Sequence, residues 1–157
     1  MDELIAPTTV AGLSLTSHFV MAPMTRKRSP GGVPTAEVAA YYRRRAAGGI
    51  GLIITEGALV GHPSASHESD VPRLTPGAAE AGWRRVTSEV HAAGGKIAAQ
   101  IWHLGSERQP VDGLPAWTPG TMRGKTSKPC LRRTPRAGAW PCGPASTRWR
   151  STARTAI

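Results

Sequence analysis

Three short apolar segments, separated by two segments of helical character, constrain the fold of this chain more than any other feature of its sequence. The apolar segments span residues 18–24, 50–55 and 96–102. Each is a short run of the kind expected of a strand that is buried on both faces. Because strand–helix–strand crossovers are right-handed, this order predicts a parallel sheet in an α/β fold.

The first helical segment carries its own start and stop signals. Thr35 can cap a helix over residues 36–47, which have high helix propensity apart from one pair of tyrosines, and Gly48-Gly49 can supply a left-handed stop. The arginines at 43–45 favour the negative end of the helix dipole, so we expect them to form a solvated helix end.

The second helical segment follows a loop over residues 61–76. Pro76 suits the first position of a helix with Thr75 as its cap, and Gly94-Gly95 can end it. One face carries an apolar stripe that we expect to pack against the core, and its members are Ala79, Trp83, Val86 and Val90.

The ends of the three strands decide between two parallel α/β folds. A dinucleotide-binding fold has a glycine-rich turn after its first strand, and residues 22–26 contain no glycine. Polar or small residues stand instead where the strands end, which is where a (β/α)8 barrel builds its active site. They are Thr25, the turn expected at Glu56-Gly57, and Gln100 with Trp102. The sequence therefore predicts the N-terminal part of a (β/α)8 TIM barrel, with about three strands.

Charge divides the chain near residue 112. Residues 1–112 hold all ten acidic residues and eleven of the Lys and Arg residues, so they are nearly neutral. Residues 113–157 hold the other nine basic residues, six prolines and no acidic residue, and they show no apolar periodicity. We expect a partial barrel domain over 1–112 and a basic, Pro/Arg-rich, irregular and disordered tail over 113–157.

Several classes of protein are disfavoured by the same inspection. No apolar run approaches the roughly 18–20 residues of a membrane span, and the N-terminus is acidic where a signal peptide is basic, so we expect a cytoplasmic protein without a membrane partner. Cys130 and Cys142 supply half a zinc site at most, and no metal site is predicted. His62, His67 and His103 are expected to be loop residues.

The strand and helix motifs together resemble the Old Yellow Enzyme family of FMN-dependent ene-reductases, and within it the members that are similar to 12-oxophytodienoate reductase. The resemblance weakens beyond Gly105 and is absent from about Ser127. It is carried by four motifs in family order, over residues 20–26, 34–46, 51–57 and 82–103.

The resemblance implies an FMN across the barrel mouth, reduced by NADH or NADPH, that passes hydride to an activated alkene. On the matching positions, Pro23, Met24 and Thr25 would line the isoalloxazine ring. The hydroxyl of Thr25 would hydrogen-bond a flavin carbonyl and tune the redox potential, and Trp102 would form a wall of the substrate pocket. Thr25 and Trp102 are therefore the candidate catalytic residues.

Two further cofactor contacts follow from the resemblance. Gly57 would let the backbone approach the ring edge, which only a residue without Cβ allows. The amide of Gln100 would bind the pyrimidine edge, and in a buried apolar strand that amide must find partners.

The family's phosphate-binding loops, substrate-anchoring pair and proton-donating tyrosine follow the first three strands. We therefore expect this chain to be a truncated and inactive form, with a single-base frameshift in the gene between about codons 105 and 129 as our hypothesis for the tail. Shifted codons admit family-like text at residues 129–134 and 147–153.

The basic tail leaves one alternative open, a nucleic-acid-binding protein with a C-terminal arm. The family resemblance predicts a small-molecule alkene substrate and no nucleic-acid partner. The residues that would serve the alternative are Arg132, Arg133, Arg136, Arg148 and Arg150 for phosphates, and Trp140 and Trp149 for stacking.

Overall fold

A computed structural model describes residues 2–117 of the chain. They form a small hairpin and a parallel sheet with two helices against it. The tail was predicted over 113–157; its residues 113–117 contain no helix or strand, and the rest lies outside the described residues. In chain order the elements are α1 (Asp2–Ile5), β1 (Thr8–Val10), β2 (Leu13–Leu15), β3 (Val20–Met21), α2 (Ala36–Ala47), β4 (Leu52–Val60), β5 (Arg73–Leu74), α3 (Ala78–Ala92) and β6 (Lys96–Trp102).

Strand β4 is the centre of the sheet. It pairs in parallel with β3 on one edge and with β6 on the other, and β5 pairs in parallel with its last two residues. The predicted parallel α/β arrangement is confirmed. The antiparallel hairpin of β1 and β2 was not anticipated, because its three-residue strands are too short for a period to be visible.

Two strand boundaries differ from the prediction. The first strand is limited to Val20–Met21, and the chain leaves the sheet before Pro23, which has no N–H to donate to a ladder. The second strand does not turn at Glu56-Gly57 but continues to Val60. It can continue because β6 and β5 still provide partners for its last residues.

Helix α2 spans Ala36–Ala47 as predicted, and the side chain of Thr35 accepts a hydrogen bond from the backbone N–H of Val38. The predicted start of α3 was wrong. Its N-cap is Gly77, at φ 89°, rather than Thr75, and no side chain caps it. A backbone with positive φ at Gly77 separates Pro76 from the helix, so the proline is not its first residue.

The helix-facing side of the sheet forms the main core. All four members of the apolar stripe of α3 are buried, and Trp83 lies in helix packing as expected, with 2% of its surface exposed. The Trp83 indole N–H also donates a hydrogen bond to the carbonyl of Arg73, at 3.0 Å. This cluster includes Tyr42, Ile53 and Ile97.

The opposite side of the sheet is open at β3 and along β6 as far as Gln100, so burial on both faces was wrong for β3 and β6; towards the carboxyl end, a second apolar cluster that includes Leu59 covers it. In β6, Ile97 is buried while Ala98 and Gln100 are exposed. The reason is that α2 and α3 both pack on one face. Within residues 2–117, no helix is long and apolar enough to cross a membrane.

Candidate functional site at the carboxyl ends of the strands

The sequence-predicted site residues lie at one end of the sheet. Gly57 and Gln100 are register partners across β4 and β6. Thr25 precedes Arg26, whose backbone N–H donates a hydrogen bond to the Oε2 atom of Glu56, at 3.2 Å. The structure therefore places Thr25 and Gln100 on either side of the Glu56-Gly57 segment.

A β-bulge shapes this end of the central strand. Between Ile54 and Gly57 strand β4 advances three residues, whereas β6 advances only two, from Ala98 to Gln100. One extra residue therefore sits in β4. Bulges of this kind redirect side chains and occur next to active sites.

The side chain of Thr55 completes the hydrogen bonding that the bulge interrupts. Its Oγ1 atom accepts a hydrogen bond from the backbone N–H of Gln100, at 3.2 Å, and the hydroxyl donates to the carbonyl of Glu56, at 2.8 Å. Thr55 itself is fully buried. A buried hydroxyl thus replaces a ladder partner and holds the backbone of Gln100 in place.

Gly57 makes room for Trp102. An ideal Cβ at position 57 would lie 2.4 Å from Cε3 and 2.8 Å from Cδ2 of the indole, closer than non-bonded atoms approach. Trp102 is half-buried and packs against an apolar cluster that includes Leu59, Ala65 and Val71. Glycine is therefore required at position 57 for the packing of Trp102, a reason that the sequence did not reveal.

Sequence reasoning missed a buried polar network beside the site. The guanidinium of Arg26 donates from Nη2 to Oε1 of Glu56, at 2.8 Å, and 16% of the Arg26 side chain and none of the Glu56 side chain is exposed. The Tyr42 hydroxyl accepts the backbone N–H of Glu56, at 2.9 Å, and lies 3.4 Å from Oε1. Burial, and secondarily the charge of Glu56, raises the pKa of Tyr42 to about 12, so the phenol keeps its proton near neutral pH.

The neighbouring tyrosine extends this network by stacking. The guanidinium carbon of Arg26 lies 3.5 Å from the centroid of the Tyr41 ring, and that of Arg45 lies 3.3 Å from the same centroid. Arg45 is thus half-buried against a ring rather than part of a fully solvated helix end. The adjacent pair of tyrosines in a helix of small and basic residues was the signal available in the sequence.

The remaining candidate contacts are open to solvent. Pro23, Met24 and Thr25 are exposed, Met24 to 67%. The side chain of Gln100 is exposed as well, so the expectation that its amide lies in a buried strand was wrong. Its position on the open face of β6 explains the exposure.

The three histidines lie in loops, where each organises the local backbone. The Nδ1 atoms of His62, His67 and His103 accept backbone N–H groups of Ser64, Gln109 and Gly105, respectively. Burial, with the nearby His62 and Arg108, lowers the pKa of His103. No group of three metal-ligating side chains occurs among residues 2–117, and Cys130 and Cys142 lie beyond them.

Comparison with known proteins identifies the class to which this sheet and site belong. Residues 3–128 match the model of the NADH:flavin oxidoreductase / NADH oxidase family. That match covers most of the chain, and the chain belongs to this family.

Individual relatives agree with the assignment. The chain is 38% identical over 108 residues to 12-oxophytodienoate reductase 7 of Oryza sativa subsp. japonica, which covers 69% of this chain and 27% of the relative. It is 37% identical over 113 residues to a Leishmania infantum protein named as a flavin mononucleotide-dependent alkene reductase. That match covers 70% of this chain and 30% of the relative. The chain therefore spans less than a third of the length of these relatives.

Solved structures of the family have the same fold. Morphinone reductase in complex with tetrahydroNAD superposes with a TM-score of 0.64 at 37% identity, over 76% of this chain and 31% of that chain. The Old Yellow Enzyme from Pichia sp. AKU4542 superposes with a TM-score of 0.69 at 28% identity, over 83% and 36%. These neighbours are TIM barrels, and the chain forms part of such a barrel with parallel strands.

Proposed function

We propose that this chain carries the ring-binding part of an FMN-dependent oxidoreductase of the ene-reductase type. The observation that carries the proposal is that Gly57, Gln100 and Trp102 lie together in the carboxyl-terminal parts of β4 and β6, in a member of this family. The segment that follows Thr25 is hydrogen-bonded to Glu56 beside them. When bound, the flavin supplies hydride transfer from NADH or NADPH to an electron-poor alkene.

The exposed side chains at this end fit a flavin ring. Pro23 and Met24 offer apolar surface, and Thr25 and Gln100 offer free hydrogen-bonding groups beside it. An amide that both donates and accepts matches the alternating edge of a pyrimidine ring. We assign Gln100 to that edge and the Thr25 hydroxyl to a ring carbonyl.

Trp102 and Gly57 have supporting roles in the proposal. The half-buried indole of Trp102 would form an apolar wall of the alkene pocket and exclude water from it. Gly57 would let the backbone of β4 approach the ring edge, because glycine carries no Cβ.

A flavin titration of the full chain tests the proposal. We expect the fluorescence of riboflavin and of FMN to be quenched on binding, and the two flavins to bind with similar affinity. The reason is that the family's phosphate-binding loops follow later strands than the three described barrel strands. Thr25→Ala and Gln100→Ala should each lower the affinity for riboflavin about fivefold to tenfold, which corresponds to the loss of one hydrogen bond. Thr16→Ala and Gln109→Ala, which alter other exposed Thr and Gln side chains, are the matched controls.

The absence of any flavin binding by the full chain would contradict the proposal. We further propose that the chain acts in the cytoplasm, and that by itself it does not turn over an alkene. NADPH-dependent reduction of an enone by the purified chain would refute that second part. The nucleic-acid alternative rests on tail residues outside the described range and predicts a salt-dependent DNA complex instead.

A further inference from the structure

The two segments that carry candidate ring contacts are joined through one buried carboxylate. Arg26 follows Thr25 in the chain, and Glu56 precedes Gly57. The Oε2 atom of Glu56 accepts the backbone N–H of Arg26, and Oε1 lies within hydrogen-bonding reach of the Arg26 guanidinium and the Tyr42 hydroxyl. Three donors from two elements therefore meet on Glu56.

We infer that Glu56, together with Arg26 and Tyr42, positions the Thr25 segment relative to Gly57 and so sets the geometry of the ring-binding site. The inference rests on the proposed function for its ligand. Its geometric content, that the network holds two backbone segments in register, concerns the chain alone.

The network acts on main-chain atoms, which is what a positioning role requires. The backbone N–H of Arg26 is held by Glu56, and the backbone N–H of Glu56 is held by Tyr42, at 2.9 Å. Since β3 ends at Met21, the backbone at Arg26 has left the β3–β4 ladder. The carboxylate therefore provides a direct tie between the Thr25 segment and β4.

Burial also distinguishes this network from an ordinary ion pair. The next residue, Lys27, makes an ion pair of the same 2.8 Å length with Glu68, but both side chains are partly exposed and the contact joins only their tips. A buried ion pair is costly to desolvate, and apolar side chains of similar volume often give equal stability. The buried ion pair between Glu56 and Arg26 is therefore better explained by a role in positioning the backbone than by a role in stability.

The experiment compares Glu56→Gln and Tyr42→Phe with the matched control Glu68→Gln in the full chain. The Glu56 carboxylate offers two acceptor oxygens to the surrounding donors, whereas a glutamine side chain offers only one. Its NH2 group would face one of those donors and could not accept its hydrogen bond. Phenylalanine keeps the buried ring and removes only the hydroxyl that holds the Glu56 N–H. Glu68→Gln weakens a neighbouring ion pair without touching the site.

The first measurement is backbone amide hydrogen exchange without ligand. We expect exchange at Arg26, Glu56 and Gly57 to accelerate at least tenfold in both network variants, while the amides of Ile53 and Ile97 change little. The control should leave all five unchanged. Equal acceleration at every amide would show a general loss of stability and overturn the inference.

The second measurement is riboflavin affinity at a temperature where every variant is fully folded by circular dichroism. Both network variants should bind at least tenfold more weakly, with an altered visible spectrum of the bound flavin, and the control should bind normally. Unchanged affinity and spectrum in the network variants would overturn the inference. If the unmodified chain binds no flavin, the proposed function fails, and the exchange data alone decide whether the network positions the two segments.

Discussion

The two halves of strand β4 meet the same requirement, hydrogen bonding to β6, in different ways. In the amino-terminal half, residues 52–54 pair one for one with residues 96–98. In the carboxyl-terminal half, the bulge at Thr55 and Glu56 interrupts the ladder, and side-chain hydroxyls satisfy the backbone groups. In the first half Ile53 is fully buried in the apolar core, whereas the bulge depends on individual polar atoms and lies beside the candidate site. Beyond the bulge residues 57–59 pair again with residues 100–102, and Ala58 and Leu59 are buried.

The difference indicates how each half should respond to substitution. Apolar packing tolerates exchange between side chains of similar volume, and loss of volume costs stability directly. A hydrogen-bonded bulge depends on the position of single donors and acceptors. Loss of volume at Ile53 should therefore alter stability most, and changes in the bulge should alter the site at a lower cost in stability.

The largest effect is expected for Ile53→Ala, which empties part of the fully buried core under α2 and α3. We expect a loss of about 2–5 kcal/mol in the free energy of unfolding, measured by urea denaturation. The matched control is Ile54→Ala, since Ile54 is only partly buried, and it should cost less than half as much. Equal costs would show that the two sides of β4 are packed alike and would contradict the comparison.

A smaller loss, about 1–3 kcal/mol, is expected for Gly57→Ala, because the new methyl group would overlap the indole of Trp102. A double-mutant cycle tests the cause. If the overlap is responsible, Gly57→Ala should cost little in a Trp102→Ala background, so the two changes should not be additive. Additive costs would place the strain elsewhere in the bulge.

The sequence predicted the amino-terminal half of this comparison far better than the other half. The local periodicity of apolar residues indicates which side chains are buried, so the parallel strands, α2 and the stripe containing Trp83 could be predicted. The site end depends on contacts between distant residues. Arg26 and Glu56 are 30 positions apart, and Tyr42 and Glu56 are 14 apart. No local pattern connects these three residues.

The bulge and the role of Gly57 escaped prediction for a related reason. An apolar run that includes Thr55, Glu56 and Gly57 indicates a strand that ends in a turn, because polar and small residues usually mark strand ends. Only the pairing with β6 reveals that one extra residue is accommodated within the strand. The sequence nevertheless predicted that Gln100 and Trp102 lie where a strand ends, and Trp102 is the last residue of β6.

For Thr55→Val we expect a loss of about 1–2 kcal/mol, because the substitution keeps the shape of the side chain but removes both the acceptor for the Gln100 N–H and the donor to the Glu56 carbonyl. The Gln100 end of this contact is only part-buried, so water can replace some of the lost bonding. Thr55→Ser retains the hydroxyl and is the matched control. Faster amide exchange at Gln100 in the valine variant, but not in the serine variant, would locate the effect in the bulge.

The smallest effect concerns pH and the amino-terminal end of the sheet. Burial, and then the charge of Lys96 at the start of β6, lowers the pKa of His91 from its ordinary value of 6.5. Since the folded chain binds this proton less readily than the unfolded chain, acidification favours unfolding. The stability of the wild type relative to His91→Gln should be constant above the unfolded pKa and should fall as pH decreases through it. The decrease should level off once the pH is below the folded pKa.

Urea unfolding at about pH 7.5 and at about pH 5.5 measures this change in relative stability. Lys96→Gln removes the charge that is the second cause of the lowered pKa, and it should make the loss of stability on acidification smaller. An increase in relative stability on acidification would instead require a raised pKa for His91 and would contradict the assigned environment.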